Sequence, residues 1–124
     1  ASIKPLTEVG VLTNTTPFNY TLGVTGGLPA HPHNLARMVQ AEPNTETWSL
    51  TALESNAWKM RAAALSLGGH LRVGFEDGIA LPNGDAADSN GSLVTAAVQL
   101  VHAVGLEVAS LEDAKSLFLS NNSE

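Results

Sequence analysis

The sequence predicts an α/β fold built on parallel strands, and two observations predict it. Apolar extended stretches alternate with amphipathic helical ones in the order strand, helix, strand, helix, strand, helix, helix, which requires helical crossovers between parallel strands. The stretch Gly68 to Asp77 reads as a strand entered through a glycine pair and ending in charge, and strand ends are where α/β folds place their sites.

The elements follow in order. Residues 6–16 are ambiguous: Leu6, Val9 and Leu12 could finish a helix, and Thr13 to Pro17 reads as a loop. A first strand spans about 18–25, aromatic and β-branched, and Gly26-Gly27 ends it. A loop with two prolines leads to a helix from Pro32 or His33 to Ala41, where Pro32 suits the first turn and Leu35, Met38 and Val39 form the apolar face. Pro43 and Asn44 break it, and a second strand spans about 48–53. Ser55 or Asn56 caps a helix that runs to Leu67 and stops at Gly68-Gly69.

The third strand spans about 70–76. Leu71, Val73 and Phe75 form one face, and Arg72, Gly74 and Glu76 the other. An irregular loop covers Gly78 to Asp88. A helix over about 90–104 places Leu93, Val94, Ala97, Leu100, Val101 and Val104 on one stripe and ends at Gly105. After a short extended piece, Leu106 to Ala109, the run Ser110-Leu111-Glu112-Asp113 has the form of a capping box before a last helix to about Leu119. The tail from Ser120 is polar and expected to fray. Three parallel strands leave two open edges, and parallel sheets want both faces covered. The chain therefore reads as part of an α/β barrel or sheet whose remainder comes from elsewhere.

Composition narrows the function classes. The chain has 124 residues, 44% of them hydrophobic, enough for one domain with a true core. A net charge of -6 without a basic run argues against a nucleic-acid partner. No apolar run approaches the roughly 20 residues that span a bilayer. The first residues lack both an initiator Met and the apolar core of a signal peptide, so the expectation is a processed chain or part of a longer one. The absence of Cys excludes disulfides and thiolate metal sites and suits the cytoplasm.

The candidate chemistry gathers at the strand ends: Gly26 and Gly27 with their loop, Leu53-Glu54, and Glu76-Asp77. The glycine pair would let a ligand approach the backbone, or simply make a turn. Arg72 and Glu76, four apart on a strand, would lie roughly 13 Å apart and not touch unless the strand bends. Arg72 could instead meet Asp77 where the chain turns. The group reads either as a structural ion pair or as a metal ligand or base beside a guanidinium. His31 and His33 have a spacing that suits a shared metal on a strand, but Pro32 starts a helix and should splay them, leaving a loop or ligand-contact role. His70 reads as structural, His102 as a half-buried helix residue, and Trp48 and Trp58 as core or interface residues. No nucleophile elbow, phosphate loop or dinucleotide fingerprint is present.

The run Gly68-Gly69-His70-Leu71-Arg72-Val73-Gly74-Phe75-Glu76-Asp77 resembles the signature of the beta-keto acid cleavage enzymes. The likeness continues on both sides. Pro17-Phe18 to Gly27 is similar to the family's sixth strand and glycine turn. Leu28-Pro29-Ala30 and Asn34-Leu35 are similar to the start of its sixth helix, and Trp48-Ser49, Met60 to Gly69 and Ser89-Asn90 to Leu119 continue in register. The resemblance implies a TIM (β/α)8 barrel, of which residues 1–124 would be the C-terminal portion: the last three βα units and the C-terminal helices.

The resemblance also implies a divalent metal, usually Zn2+, bound by two His from an early strand, absent here, and by Glu76. It makes Arg72 and Asp77 the catalytic pair tied to substrate deprotonation. The reaction it implies converts a beta-keto acid and acetyl-CoA to acetoacetate and a new acyl-CoA. Gly26 and Gly27 are the expected cofactor-binding turn, acetyl-CoA the co-substrate, and a homo-oligomer or the missing half-barrel the protein partner. Two departures, Gly78 for the family's frequent Asn and His31-Pro32-His33 for its common Thr-Pro-Glu, lie at the mouth of the site and bear on substrate choice. Without its first half the segment is expected neither to bind zinc well nor to turn over. The competing reading is a non-catalytic binding or assembly module.

Overall fold

The computed structural model describes residues 8–10, 12–13, 16–42, 47–53 and 55–119. Of the residues read above, Leu6, Asn14, Thr15, Pro43, Asn44, Glu54 and the tail from Ser120 lie outside the described residues.

Three strands, β1 (Phe18–Leu22), β2 (Trp48–Ala52) and β3 (His70–Leu71), form one sheet in the order β1-β2-β3. All pairings are parallel, with Phe18 opposite Trp48, Leu22 opposite Ala52 and Ser49 opposite His70. The helices are α1 (Pro32–Ala41), α2 (Ala57–Ser66), α3 (Asn90–Ala103) and α4 (Leu111–Leu119). Chain-order parallel strands with α1 and α2 as crossovers are what the alternation predicts. The strands are shorter than expected. β1 stops before Gly23, whose φ is +85° and whose N–H donates to the Leu28 carbonyl. β3 keeps only two of its expected residues, because the chain turns at Gly74 rather than running on to Glu76.

Alternation divides the sheet into two chemically distinct faces. Tyr20, Leu22, Trp48, Leu50, Ala52 and Leu71 face α1 and α2 and pack with Leu35, Met60 and Ala64 into the core. The opposite face is polar. Asn19 Nδ2 donates to Ser49 Oγ at 2.7 Å, and the Thr21 and Thr51 hydroxyls both donate to Asn19 Oδ1 at 3.0 Å. Leu22, Leu50 and Met60 are fully buried, worth on the order of 1.5–3 kcal/mol each from removal of apolar surface.

The glycine pair before β3 ends α2 by two separate means. Gly68 takes φ +85° at the helix end, and its N–H and that of Gly69 donate to Leu65 and Ala64 carbonyls, a Schellman closure. Gly69 admits the Trp48 indole: a Cβ there would lie 2.7 Å from Trp48 Cε3, with other ring atoms closer still. At the C-terminal end the expected capping box forms, with Asp113 N–H donating to Ser110 Oγ at 3.1 Å and Ser110 N–H donating to Asp113 Oδ2 at 3.2 Å.

The apolar stripe of α3 is buried less than predicted. Leu93 and Ala96 are buried, Ala97, Leu100 and Val101 are half-buried, and Val94 and Val104 are exposed. No residue of α4 is fully buried. The reason is that β3 has no neighbour on its far side among the described residues. A cavity of about 840 Å3 opens there, between β3 and the Val94, Val98, Val101 and Phe118 side chains. None of the described helices is long and apolar enough to cross a membrane.

Candidate active site

The site is assembled by the turn that replaces the end of the third strand. Arg72 N–H donates to the Leu50 carbonyl at 3.1 Å, holding the chain beside β2 for one more residue. The chain then folds back: Asp77 and Gly78 N–H both donate to the Gly74 carbonyl, at 3.0 and 3.2 Å. The first residue of α3 clamps this turn, since Asn90 Oδ1 accepts from Phe75 N–H at 2.9 Å. Phe75 is consequently exposed rather than on a buried strand face.

The turn brings together three charges that a straight strand would hold apart. Arg72 pairs with Glu76 through Nη2, and its Nε lies 3.3 Å from Asp77 Oδ2. The expectation that Arg72 and Glu76 cannot touch in an extended strand is corrected by the bend at Gly74. The three side chains are not equivalent. Asp77 is only 7% exposed, Arg72 47% and Glu76 69%. Asp77 Oδ2 accepts no hydrogen bond among the described residues, because Arg72 Nε approaches it as a charge and off the line of a hydrogen bond. Burying a carboxylate this way costs several kcal/mol unless cations compensate, and it leaves an acceptor available for a proton or a ligand.

One further buried cation was not among the residues singled out from the sequence. Arg61 on α2 is 3% exposed. Its guanidinium lies 4.5 Å from the centroid of the Trp58 ring, and its Nε has no hydrogen-bond partner among the described residues. Burial lowers its pKa from the usual arginine value, and the Asp77 charge opposes that fall. Trp58 in turn donates its indole N–H to the Ala80 carbonyl at 2.7 Å, tying α2 to the loop after Asp77. A signal for Arg61 was present: it falls in phase with the buried stripe Ala57, Met60, Ala64, Leu65, where a charge needs a reason.

The other candidates settle as follows. Gly26, with φ +80°, and Gly27, whose N–H donates to the Val24 carbonyl at 2.9 Å, make a tight turn. A Cβ on Gly27 would meet Val24 Cγ2 at 2.7 Å, and a Cβ on Gly26 would meet nothing within 4 Å but would have to tolerate its positive φ. His31 and His33 are stacked rather than splayed, with ring centroids 4.9 Å apart. His31 caps α1 by accepting from His33 N–H, and the two Nδ1 atoms lie 3.1 Å apart. The tight turn at the helix start brings both rings to one side. His70 faces the polar side of the sheet and meets the Phe118 ring edge-on at 5.7 Å. His102 reaches Glu107 at 3.4 Å.

No group of three His, Cys, Asp or Glu among the described residues could hold a metal ion. Glu76, exposed and on a turn, can supply one carboxylate ligand; a complete zinc site needs at least three protein ligands.

A polar sheet face whose C-terminal end carries a buried carboxylate and its arginines defines an α/β protein with its charged cluster where this class keeps its sites. The chain belongs to the beta-keto acid cleavage enzyme family, which it matches over residues 1–119. It is 37% identical over 100 residues to the 3-keto-5-aminohexanoate cleavage enzyme of Acetoanaerobium sticklandii, covering 81% of this chain and 37% of that protein. It is 35% identical over 100 residues to the enzyme of the same name from Fusobacterium nucleatum subsp. nucleatum, covering 81% and 36%. It is 30% identical over 112 residues to the 3-dehydrocarnitine:acetyl-CoA trimethylamine transferase of Rhizobium meliloti, covering 90% and 37%. The chain thus spans little more than a third of the length of these curated relatives.

Proposed function

We propose that this segment forms the last three βα units of a (β/α)8 barrel and carries the proton-transfer half of a cytoplasmic beta-keto acid cleavage enzyme. The observation that carries the reading is Asp77: a carboxylate 7% exposed, beside Arg72, with an oxygen that accepts no hydrogen bond among the described residues. Asp77 is the base that takes a proton from the beta-keto acid. Arg72, whose Nε lies 3.3 Å from Asp77 Oδ2, holds the carboxylate aimed. Glu76 is one ligand of a Zn2+ whose other ligands come from the preceding strands, and the metal supplies Lewis-acid polarisation of the keto group. The Gly26-Gly27 turn, at the same end of the sheet, is where acetyl-CoA or the keto acid passes close to the backbone. The products are acetoacetate and a new acyl-CoA. The polar face of Asn19, Thr21, Ser49 and Thr51 becomes the barrel interior, and the earlier strands, or a second copy, cover the free edge of β3.

The test is made on the full-length protein that carries this segment. Acetyl-CoA and a panel of beta-keto acids should yield acetoacetate, and zinc should co-purify. Glu76→Gln should lose most of the metal and most of the turnover, because an amide oxygen is a poorer ligand than a carboxylate. Full zinc and full turnover in that variant would overturn the ligand assignment. The exposed apolar residues of α3 and α4 favour one second reading, a non-catalytic assembly module. Stable partner binding without acetoacetate formation by the full-length protein would select it.

A further inference from the structure

We propose that Thr21 is a specificity-determining residue whose hydroxyl receives a hydrogen-bond donor carried on the side chain of the beta-keto acid. This rests on the functional reading above and narrows its substrate class. Each hydroxyl has one proton to give. Thr21 and Thr51 both give theirs to Asn19 Oδ1, at 3.0 Å. Asn19 cannot turn to release them. Its Nδ2 donates to Ser49 Oγ at 2.7 Å, and Ser49 spends its own proton on the Phe18 carbonyl at 3.4 Å. Ser49 must therefore accept, which fixes the amide and aims Asn19 Oδ1 at both threonines. With their protons engaged, the two hydroxyls offer only lone pairs to any other group. Thr51 is 3% exposed, whereas Thr21 is exposed, so Thr21 is the one a ligand can reach.

The sheet sets Thr21 in line with the charged cluster. Thr21 lies opposite Thr51 on the next strand. Leu50 lies opposite Leu71, and one residue further Thr51 comes level with Arg72, whose N–H donates to the Leu50 carbonyl. Arg72 lines one cavity together with Asn19, Ser49 and His70 of the polar face. Thr21, Thr51 and Arg72 thus form a row across that face, two strand spacings or roughly 10 Å long. A substrate side chain that extends from beside Arg72 toward β1 arrives over Thr21 after a few bonds. It meets there an acceptor with no proton to donate. A hydroxyl or ammonium group is received, and a carboxylate meets lone pair against lone pair.

The test is made on the full-length protein with beta-keto acids of one chain length that end in a methyl, hydroxyl, amino or carboxylate group. The readout is kcat/KM for acetoacetate formation. Wild type should prefer a donor-ended acid over the methyl-ended one by about tenfold or more, because an acceptor left unpaired in the site is costly. The carboxylate-ended acid should be the poorest. Preference for the hydroxyl, the amino group or both supports the proposal, and the two arms separate a neutral donor from an ammonium. Thr21→Val keeps the shape and removes the acceptor, so it should bring the donor preference to within about twofold, the loss appearing in kcat/KM. Thr21→Ser should retain the preference. No preference for a donor in wild type, or the same preference in wild type and Thr21→Val, would overturn the proposal and leave Thr21 a structural member of the polar face. If Thr21→Val does not fold, Thr21→Ala decides by the same criterion. A wild-type protein that forms no acetoacetate from any beta-keto acid would defeat the functional reading alone. Binding of the same acids to wild type and Thr21→Val, measured by isothermal titration calorimetry, would still decide whether Thr21 receives a donor.

Discussion

The guanidinium of Arg72 sits 3.3 Å, Nε to Oδ2, from the carboxylate of Asp77, five residues along the chain. An extended strand would separate these residues by well over ten ångströms, at ~3.3 Å per residue. The contact exists because the chain reverses at Gly74, whose carbonyl accepts from both Asp77 and Gly78. The same reversal lets Arg72 reach Glu76. One guanidinium thus spans two carboxylates of unlike exposure, Asp77 at 7% and Glu76 at 69%.

Asp77→Asn should keep the fold and the metal and lose rate. Asn preserves the shape and fills the same space, but cannot accept the proton. General-base contributions are about 10²–10⁴-fold, so kcat should fall within that range while zinc content per chain, measured by elemental analysis, stays near wild type. Loss of zinc with retained rate would exchange the roles of Glu76 and Asp77.

Arg72→Lys should give an intermediate enzyme. An ammonium keeps the charge but is one point donor, whereas Arg72 uses Nη2 toward Glu76 and Nε toward Asp77. Steady-state kinetics should show a lowered kcat, with Arg72→Met lower still. Equal activity of the lysine and methionine variants would mean that geometry, not charge, is what Arg72 contributes.

Gly69→Ala should destabilise the fold without touching the charged cluster. The new methyl would press on the Trp48 indole, which is buried against Leu50 and Met60 in the core. Overpacking of this kind costs about 1–3 kcal/mol, and chemical denaturation should show a lower midpoint. Trp48→Phe in the same chain should restore part of the loss by opening space.

Acid should loosen the N-termini of α3 and α4 before the sheet. The Ser92 and Ser89 hydroxyls donate to Asp88 and hold its pKa below the usual carboxylate value, and Ser110 does the same for Asp113. A depressed folded-state pKa gives stability that is present above the unfolded pKa, about 3.9, and is lost as pH falls through the folded value. Amide exchange in the first turns of both helices should therefore rise below about pH 4, while exchange in β2 changes less. Asp113→Asn should remove the effect from α4 only.

The features the sequence determined by itself are those that near neighbours enforce. Pro32 starts α1, Gly68 and Gly69 stop α2, Gly105 follows α3, and Ser110 with Asp113 caps α4. Each is a dihedral preference or a hydrogen bond spanning a few residues. The order of parallel strands was legible too, because alternation of strand and helix leaves few other topologies.

Tertiary structure alone decided the path beyond Leu71 and the partners of the charges. An alternating pattern over 70–76 is satisfied equally by a strand or by a strand that breaks. What broke it was the Gly74 turn, clamped by Asn90 fifteen residues away. That path set which of Glu76 and Asp77 is buried, and it brought both within reach of Arg72. The sequence lists the charges; their pairing and burial depend on chain segments distant in sequence, and no local preference encodes that geometry.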